Sequence, residues 1–130
     1  TLAYVDVDDF REFTRRFGRR AGNTLLRTVA ATLRENVRAI DTVARLGGDE
    51  FGLLLVEVDM DEAKTIIFRT RKNLLGVVEK NNWPITFSLG VMTFCQPASS
   101  VEEMLQLVAA LASAVRAEGK DSVKFEVYSD

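Results

Sequence analysis

Thr42-Val43-Ala44-Arg45-Leu46-Gly47-Gly48-Asp49-Glu50-Phe51-Gly52-Leu53-Leu54-Leu55-Val56 sets two short apolar runs on either side of a glycine pair and two acids. Thr42 to Leu46 and Phe51 to Val56 each have the length and composition of a strand. A glycine pair accommodates positive φ without a Cβ clash, so Gly47-Gly48 predicts a tight β-hairpin with Asp49 and Glu50 at its turn.

Upstream of the hairpin, Leu25, Leu26, Val29, Ala30, Leu33 and Val37 recur at helical spacing and predict a long amphipathic helix beyond Asn23. Gly18 and Gly22 bracket Arg19-Arg20 as a turn, and a shorter helix before it carries Phe10 and Phe13 on its inner face. Leu2 to Val7 reads as a first strand ended by Asp6, Asp8 and Asp9, with Asp8 or Asp9 placed to N-cap the short helix. Downstream, Asp59 to Lys80 predicts a third helix with Ala63, Ile66, Ile67, Leu74 and Val78 inward. Trp83-Pro84 breaks it, and Ile85 to Phe94 is a fourth strand. Ser100-Val101-Glu102-Glu103 has the form of a capping box opening a helix that runs to Gly119, and Val123 to Tyr128 closes as an edge strand. The order β-α-α-β-β-α-β-α-β predicts one α/β (α+β) domain over residues 1–130. Its single hairpin among helical crossovers suits a ferredoxin-like fold, a mixed antiparallel sheet with helices layered on it.

A chain of 130 residues can bury a core, and 47% apolar with 28% charged residues is a globular balance. A net charge of −2 argues against a general nucleic-acid-binding surface. The absence of histidine excludes imidazole catalysis and His-ligated zinc. Cys95, the single cysteine, lies in an apolar run and is expected as a buried thiol in a reducing, cytoplasmic compartment. No apolar run approaches the length of a membrane span, and no signal-peptide pattern is present. The chain opens without methionine directly into an apolar segment, so it reads as an excerpt of a longer protein with an upstream sensor domain or anchor.

In a ferredoxin-like sheet the first strand lies beside the hairpin, so Asp6 at its end and Asp49-Glu50 at the turn are placed to converge. With no histidine or paired cysteines, these hard oxygen donors suit Mg²⁺ or Mn²⁺. Two such ions bridging a triphosphate lower the pKa of an attacking hydroxyl. Gly47 and Gly48 let the backbone approach a phosphate or ribose closely. The same residues also suit a plain hairpin turn with exposed acids, and Asp6 a cap at the start of a helix.

Arg45-Leu46-Gly47-Gly48-Asp49-Glu50-Phe51 resembles the signature of the GGDEF domains, the diguanylate cyclase family. Asp6-Val7-Asp8-Asp9-Phe10-Arg11 is similar to that family's Asp-x-Asp-x-Phe-Lys segment. Gly18, Gly22 and Leu26 match residues between the two motifs, and Ser88-Leu89-Gly90-Val91 resembles the Ser-Ile-Gly-Val strand near the end. The resemblance covers essentially the whole chain and implies a fold of the nucleotidyl-cyclase and polymerase-palm type. It implies GTP as substrate and cyclic di-GMP with pyrophosphate as products, formed across a homodimer in which each ribose 3′-hydroxyl attacks the other nucleotide's α-phosphate. Transferred by position, Asp6, Asp49 and the carbonyl of Val7 would ligand Mg²⁺ or Mn²⁺, and Glu50 would be a further ligand or the base acting on the 3′-hydroxyl. Gly47 and Gly48 would flank the substrate. Arg38-Ala39-Ile40-Asp41 resembles the family's RxxD inhibitory site, in which arginine and aspartate grip the cyclic di-GMP product. The bland reading of Arg38 and Asp41 is a solvated pair at a helix end. Arg69 is a candidate second arginine for that site.

Departures cluster at the nucleotide. Thr14 stands where the family has a guanine-reading asparagine, and Asn23 where it has a guanine-reading aspartate. An aspartate accepts from guanine N1–H and N2–H₂ together, whereas Asn23 offers one acceptor and one donor; its bland reading is an N-cap of the long helix. The family's phosphate-binding lysine and arginine stand swapped, as Arg116 and Lys120, and Arg19 replaces a histidine. The segment Asp-x-Leu-Thr-Gly-Leu-x-Asn-Arg that precedes the first strand in family members has no counterpart in these residues. Three functions fit: a cyclase with weakened guanine recognition, a silent receptor for cyclic di-GMP, and a regulatory dimerisation module.

Overall fold

The computed structural model describes residues 1–129. In chain order the elements are β1 (Leu2–Val7), α1 (Phe10–Phe17), α2 (Arg19–Glu35), β2 (Thr42–Arg45), β3 (Glu50–Leu54), α3 (Met60–Lys80), β4 (Phe87–Phe94), α4 (Val101–Ala117) and β5 (Val123–Tyr128). The strands form one sheet in the order β2-β3-β1-β4-β5. All pairs are antiparallel except the parallel β4–β5 edge. This is the expected ferredoxin-like mixed sheet with β1 at its centre, extended by one β4-α4-β5 crossover.

The alternation along β1 sorts the two faces. Ala3, Val5 and Val7 join Phe51, Leu53, Phe87, Leu89 and Val91 in a core closed by Phe13, by Leu25, Leu26, Val29 and Leu33 of α2, and by Ala63, Ile67, Leu74 and Val78 of α3. Leu2 and Tyr4 point to the other face with Met92, where Val108 and its neighbours on α4 cover them. Asp6 continues the Leu2–Tyr4 face, at the end of β1 nearest the last turn of α4. Gly90 is what lets α4 lie so close: a Cβ there would fall 2.5 Å from Val108 O and 2.6 Å from Ala112 N.

Several local expectations are corrected. Only Gly18 breaks the chain between α1 and α2, with φ 95°; helix resumes at Arg19, and Gly22 is buried inside α2 because Thr14 and Phe10 pack against it. Asn23 is therefore interior to α2 and not its N-cap. Asp9 occupies the N-cap position of α1 but with φ 59° and no side-chain cap bond. Gly47 and Gly48 are not in the left-handed region, which is taken instead by Asp9, Glu57, Asn82, Lys120, Asp121, Gly18 and Gly119. The true capping box is Asp59–Glu62, closing the start of α3 in both directions. Ser100 caps α4 by accepting from Glu103 N at 3.1 Å, while the Glu103 carboxylate turns to Ser99. Cys95 is exposed, since β4 ends at Phe94 and the chain leaves the sheet there. Among the described residues no helix is long and apolar enough to cross a membrane.

Candidate active site

The site lies at the end of β1 and β3. Asp6 faces Glu50 across the β1–β3 ladder, and Val7 N donates to Asp49 O at 3.0 Å. The two stretches that carry the acids are thus brought together by strand pairing. The turn between them is held from within: Arg45 donates from Nε to Gly47 O at 3.1 Å and from Nη2 to Gly48 O at 2.7 Å. Gly47 has a steric reason, because a Cβ there would fall 2.3 Å from Glu50 Oε1, whereas a Cβ on Gly48 would meet nothing within 4 Å.

The Asp6 side chain is only 4% exposed. Its Oδ2 accepts from Arg116 Nη1 at 2.9 Å, and its buried Oδ1 has no hydrogen-bond partner among the described residues. Burial pushes this carboxyl up to about 6; the Arg116 guanidinium offsets part of that, and the charges of Asp49 and Glu50 add to it. Burial, a hydrogen bond to Glu50 and the charges of Glu50, Asp6 and Asp49 push the Tyr4 phenol far above its ordinary range, so Tyr4 stays a neutral donor beside the acids. The corner therefore sets the carboxylates of Asp6, Asp49 and Glu50 close together, with an acceptor oxygen of Asp6 to spare.

A cation fits such a place. Among the described residues no three acidic side chains form a ready cage, but Mg²⁺ held with substrate phosphates needs only one or two carboxylates. Beside the acids opens a cleft of about 620 Å³ lined by Asp9, Phe10, Arg11, Glu12, Arg15, Asp49 and Arg116. Three arginines on this rim suit a polyanion.

Neighbouring acids are tied down by the loop after α4. Asp8 is fully buried and accepts from Ser88 Oγ at 2.7 Å, Thr86 Oγ1 at 2.7 Å and Asp121 N at 3.2 Å. Arg71 clasps Asp121 through its carbonyl and carboxylate, and Lys120 pairs with Asp9 at 2.5 Å. Arg116 and Lys120, expected on phosphates, thus both hold carboxylates of the β1–α1 corner. Nothing in the local sequence signals this anchoring, although Asp8 and Ser88 both lie in motif segments that resemble the family's.

Thr14 and Asn23 do not share the acidic cleft. The Thr14 hydroxyl is buried without a hydrogen-bond partner among the described residues and faces Gly22, next to Asn23. Asn23 opens into a second cleft of about 280 Å³ between α2 and β2–β3, rimmed by Arg27, Arg34 and Arg45 over Leu26 and Phe51. The glycine turn, through Asp49 on one side and Arg45 on the other, separates the two clefts.

Arg38 and Asp41 lie past the end of α2, so they are not a helix-end pair. The guanidinium meets both oxygens of Asp41, at 3.0 and 2.9 Å, and also donates to Val56 O at 2.6 Å; Val56 N donates to Asp41 Oδ1 at 2.9 Å. That fork, with two backbone donors, holds the Asp41 carboxyl down to about 2. Asp41 is 1% exposed and Arg38 50%, so the pair is fixed at its acid and open at its base. Arg69 is turned away from it, donating to Asn36 O at 2.7 Å and Asn36 Oδ1 at 3.3 Å at the end of α2.

The family model described as diguanylate cyclase, GGDEF domain, matches residues 1–122. The chain belongs to the GGDEF family. Among curated relatives, this GGDEF domain is 29% identical over 108 residues to the probable diguanylate cyclase DgcT of Escherichia coli K12, covering 79% of the chain and 24% of DgcT. It superposes on diguanylate cyclase SiaD of Pseudomonas aeruginosa, solved with its activator SiaC, with a TM-score of 0.84 at 23% identity over 95% of this chain and 48% of that one. The GGDEF domain of DgcB from Caulobacter crescentus, solved with c-di-GMP, gives a TM-score of 0.79 at 22% identity, covering 95% of this chain and 75% of that one. The chain spans about a quarter of the length of DgcT. The palm-type fold is shared with these structures.

Proposed function

We propose that this GGDEF domain is a diguanylate cyclase, condensing two GTP molecules into cyclic di-GMP with release of pyrophosphate, across a homodimer. The observation that carries the reading is the unpartnered Asp6 Oδ1, buried against Asp49 and Glu50 at the lip of the sheet. A buried carboxylate oxygen left without a partner costs free energy that a bound cation would recover. Asp6, Asp49 and the Val7 carbonyl would hold Mg²⁺ or Mn²⁺, which when bound acts as a Lewis acid on the phosphates and acidifies the attacking hydroxyl.

The chain's own part is positioning and charge. Glu50, oriented by Tyr4 and given room by Gly47, is placed to accept the proton of the 3′-hydroxyl or to complete the ligand set. Arg116, with Arg11 and Arg15 on the same rim, supplies positive charge for the triphosphate, and Lys120 stands one turn beyond. The bare backbone at Gly48 leaves space for close approach of the substrate. Thr14 and Asn23 give guanine fewer matched partners than the family pattern, which lowers affinity for the base.

Incubating a dimeric protein with GTP and Mg²⁺ is expected to yield cyclic di-GMP, and Glu50→Gln to abolish it. No product from a demonstrably dimeric, full-length protein removes the reading.

The preformed Arg38–Asp41 fork favours a second reading, a receptor for cyclic di-GMP with weak or no catalysis. It predicts calorimetric binding that Arg38→Ala destroys; unchanged affinity in that variant ends it.

A further inference from the structure

Among the described residues Arg116 is the one cation paired with Asp6, and it occupies one of the two oxygens that a divalent ion could use. Its guanidinium is 46% exposed and lines the cleft with Arg11, Arg15 and Asp49. Arg15 is already paired with Glu12. The backbone beyond Arg116 is fixed by Lys120 on Asp9, Asp121 N on Asp8 and Arg71 on Asp121. Any exchange of partner is therefore confined to the Arg116 side chain.

Resting on the cyclase reading, and going beyond it, we infer that Arg116 is a positioning residue that guards Asp6, neutralising the carboxylate until a triphosphate draws the guanidinium away. While Arg116 sits on Oδ2, an arriving divalent ion meets a positive charge and a half-occupied carboxylate. A phosphate is the stronger partner, because it carries more charge and accepts the planar fork through two oxygens. When Arg116 moves to it, Asp6 is released with both oxygens available. Nucleotide and divalent cation then tighten each other's binding by the same factor, as linkage requires.

The test follows Mn²⁺ by electron paramagnetic resonance and calorimetry in the wild-type chain, Arg116→Gln, Arg116→Met and Arg116→Lys. Each is measured alone and with guanosine 5′-[α,β-methylene]triphosphate, which cannot release pyrophosphate. Arg116→Met retains the aliphatic stem, so the result does not rest on one neutral substitution. Without nucleotide, both neutral variants are expected to bind Mn²⁺ roughly fivefold more tightly than wild type, while Arg116→Lys stays near wild type. With the analogue, wild type gains more Mn²⁺ affinity than the neutral variants do. A wild type that binds Mn²⁺ with neutral variants that bind it no more tightly overturns the guard role and leaves the cyclase reading standing. No binding of Mn²⁺ to any of the four proteins, with or without analogue, overturns both.

Discussion

Replacing Asp6 with asparagine should make the metal-free domain more stable near neutral pH. The folded-state value of Asp6, about 6, lies above its ordinary 3.8. Between those values the native chain binds a proton that the unfolded chain has released, so stability falls as pH rises from 3.8 to about 6 and stays lowered above. A displacement of 6 − 3.8 = 2.2 pH units corresponds to a ceiling of about 3 kcal/mol at roughly 1.4 kcal/mol per unit. The Arg116 guanidinium paired with Asp6 is 46% exposed, so solvent screens part of this charge, and the expected gain is about 1–2 kcal/mol. For a domain of this size that is a rise in Tm of about 4 °C per kcal/mol. Thermal melts of wild type and Asp6→Asn in EDTA, at about pH 7.5 and about pH 4, read the effect directly. The gain should be present at the higher pH and nearly absent at the lower, where wild-type Asp6 is protonated in the native state. Asp6→Asn destabilising by the same margin at both values would refute the reasoning, because it would mean that the Arg116 pair outweighs the buried charge.

Two further outcomes follow from packing and anchoring. Gly90→Ala forces a methyl to within 2.5 Å of the Val108 carbonyl, so α4 must shift; urea denaturation should show a loss of about 1–3 kcal/mol or more, and a wild-type midpoint would contradict the close approach. Ser88→Ala removes the 2.7 Å donor to the buried Asp8 Oδ1 and should cost about 1–3 kcal/mol by the same assay, with little change if Asp8 is in fact reached by solvent.

Most of the fold was legible because its signals are local. The apolar runs of β1, β4 and β5 and the helical periodicity of α2 and α3 depend on which residues must be buried, and that pattern is written along the chain. The misread places are those where a residue's partner is remote. Gly22 looked like a turn glycine, but its reason is Thr14 and Phe10 on the neighbouring helix. Cys95 looked buried because its neighbours are apolar, yet the strand stops one residue before it. At the site, the convergence of Asp6 with Asp49 and Glu50 was readable from strand order, whereas the carboxylate partners of Arg116 and Lys120 were not.

The sequence by itself determined the element order, the hairpin that carries the acids and the family signature, since each is a matter of spacing between near neighbours. Only the tertiary structure decided how charge is distributed at the β1 end. It took the β4-α4-β5 crossover to swing Arg116 onto one oxygen of Asp6 and leave the other bare, and Coulomb energy depends on distances in space that residue numbers do not record.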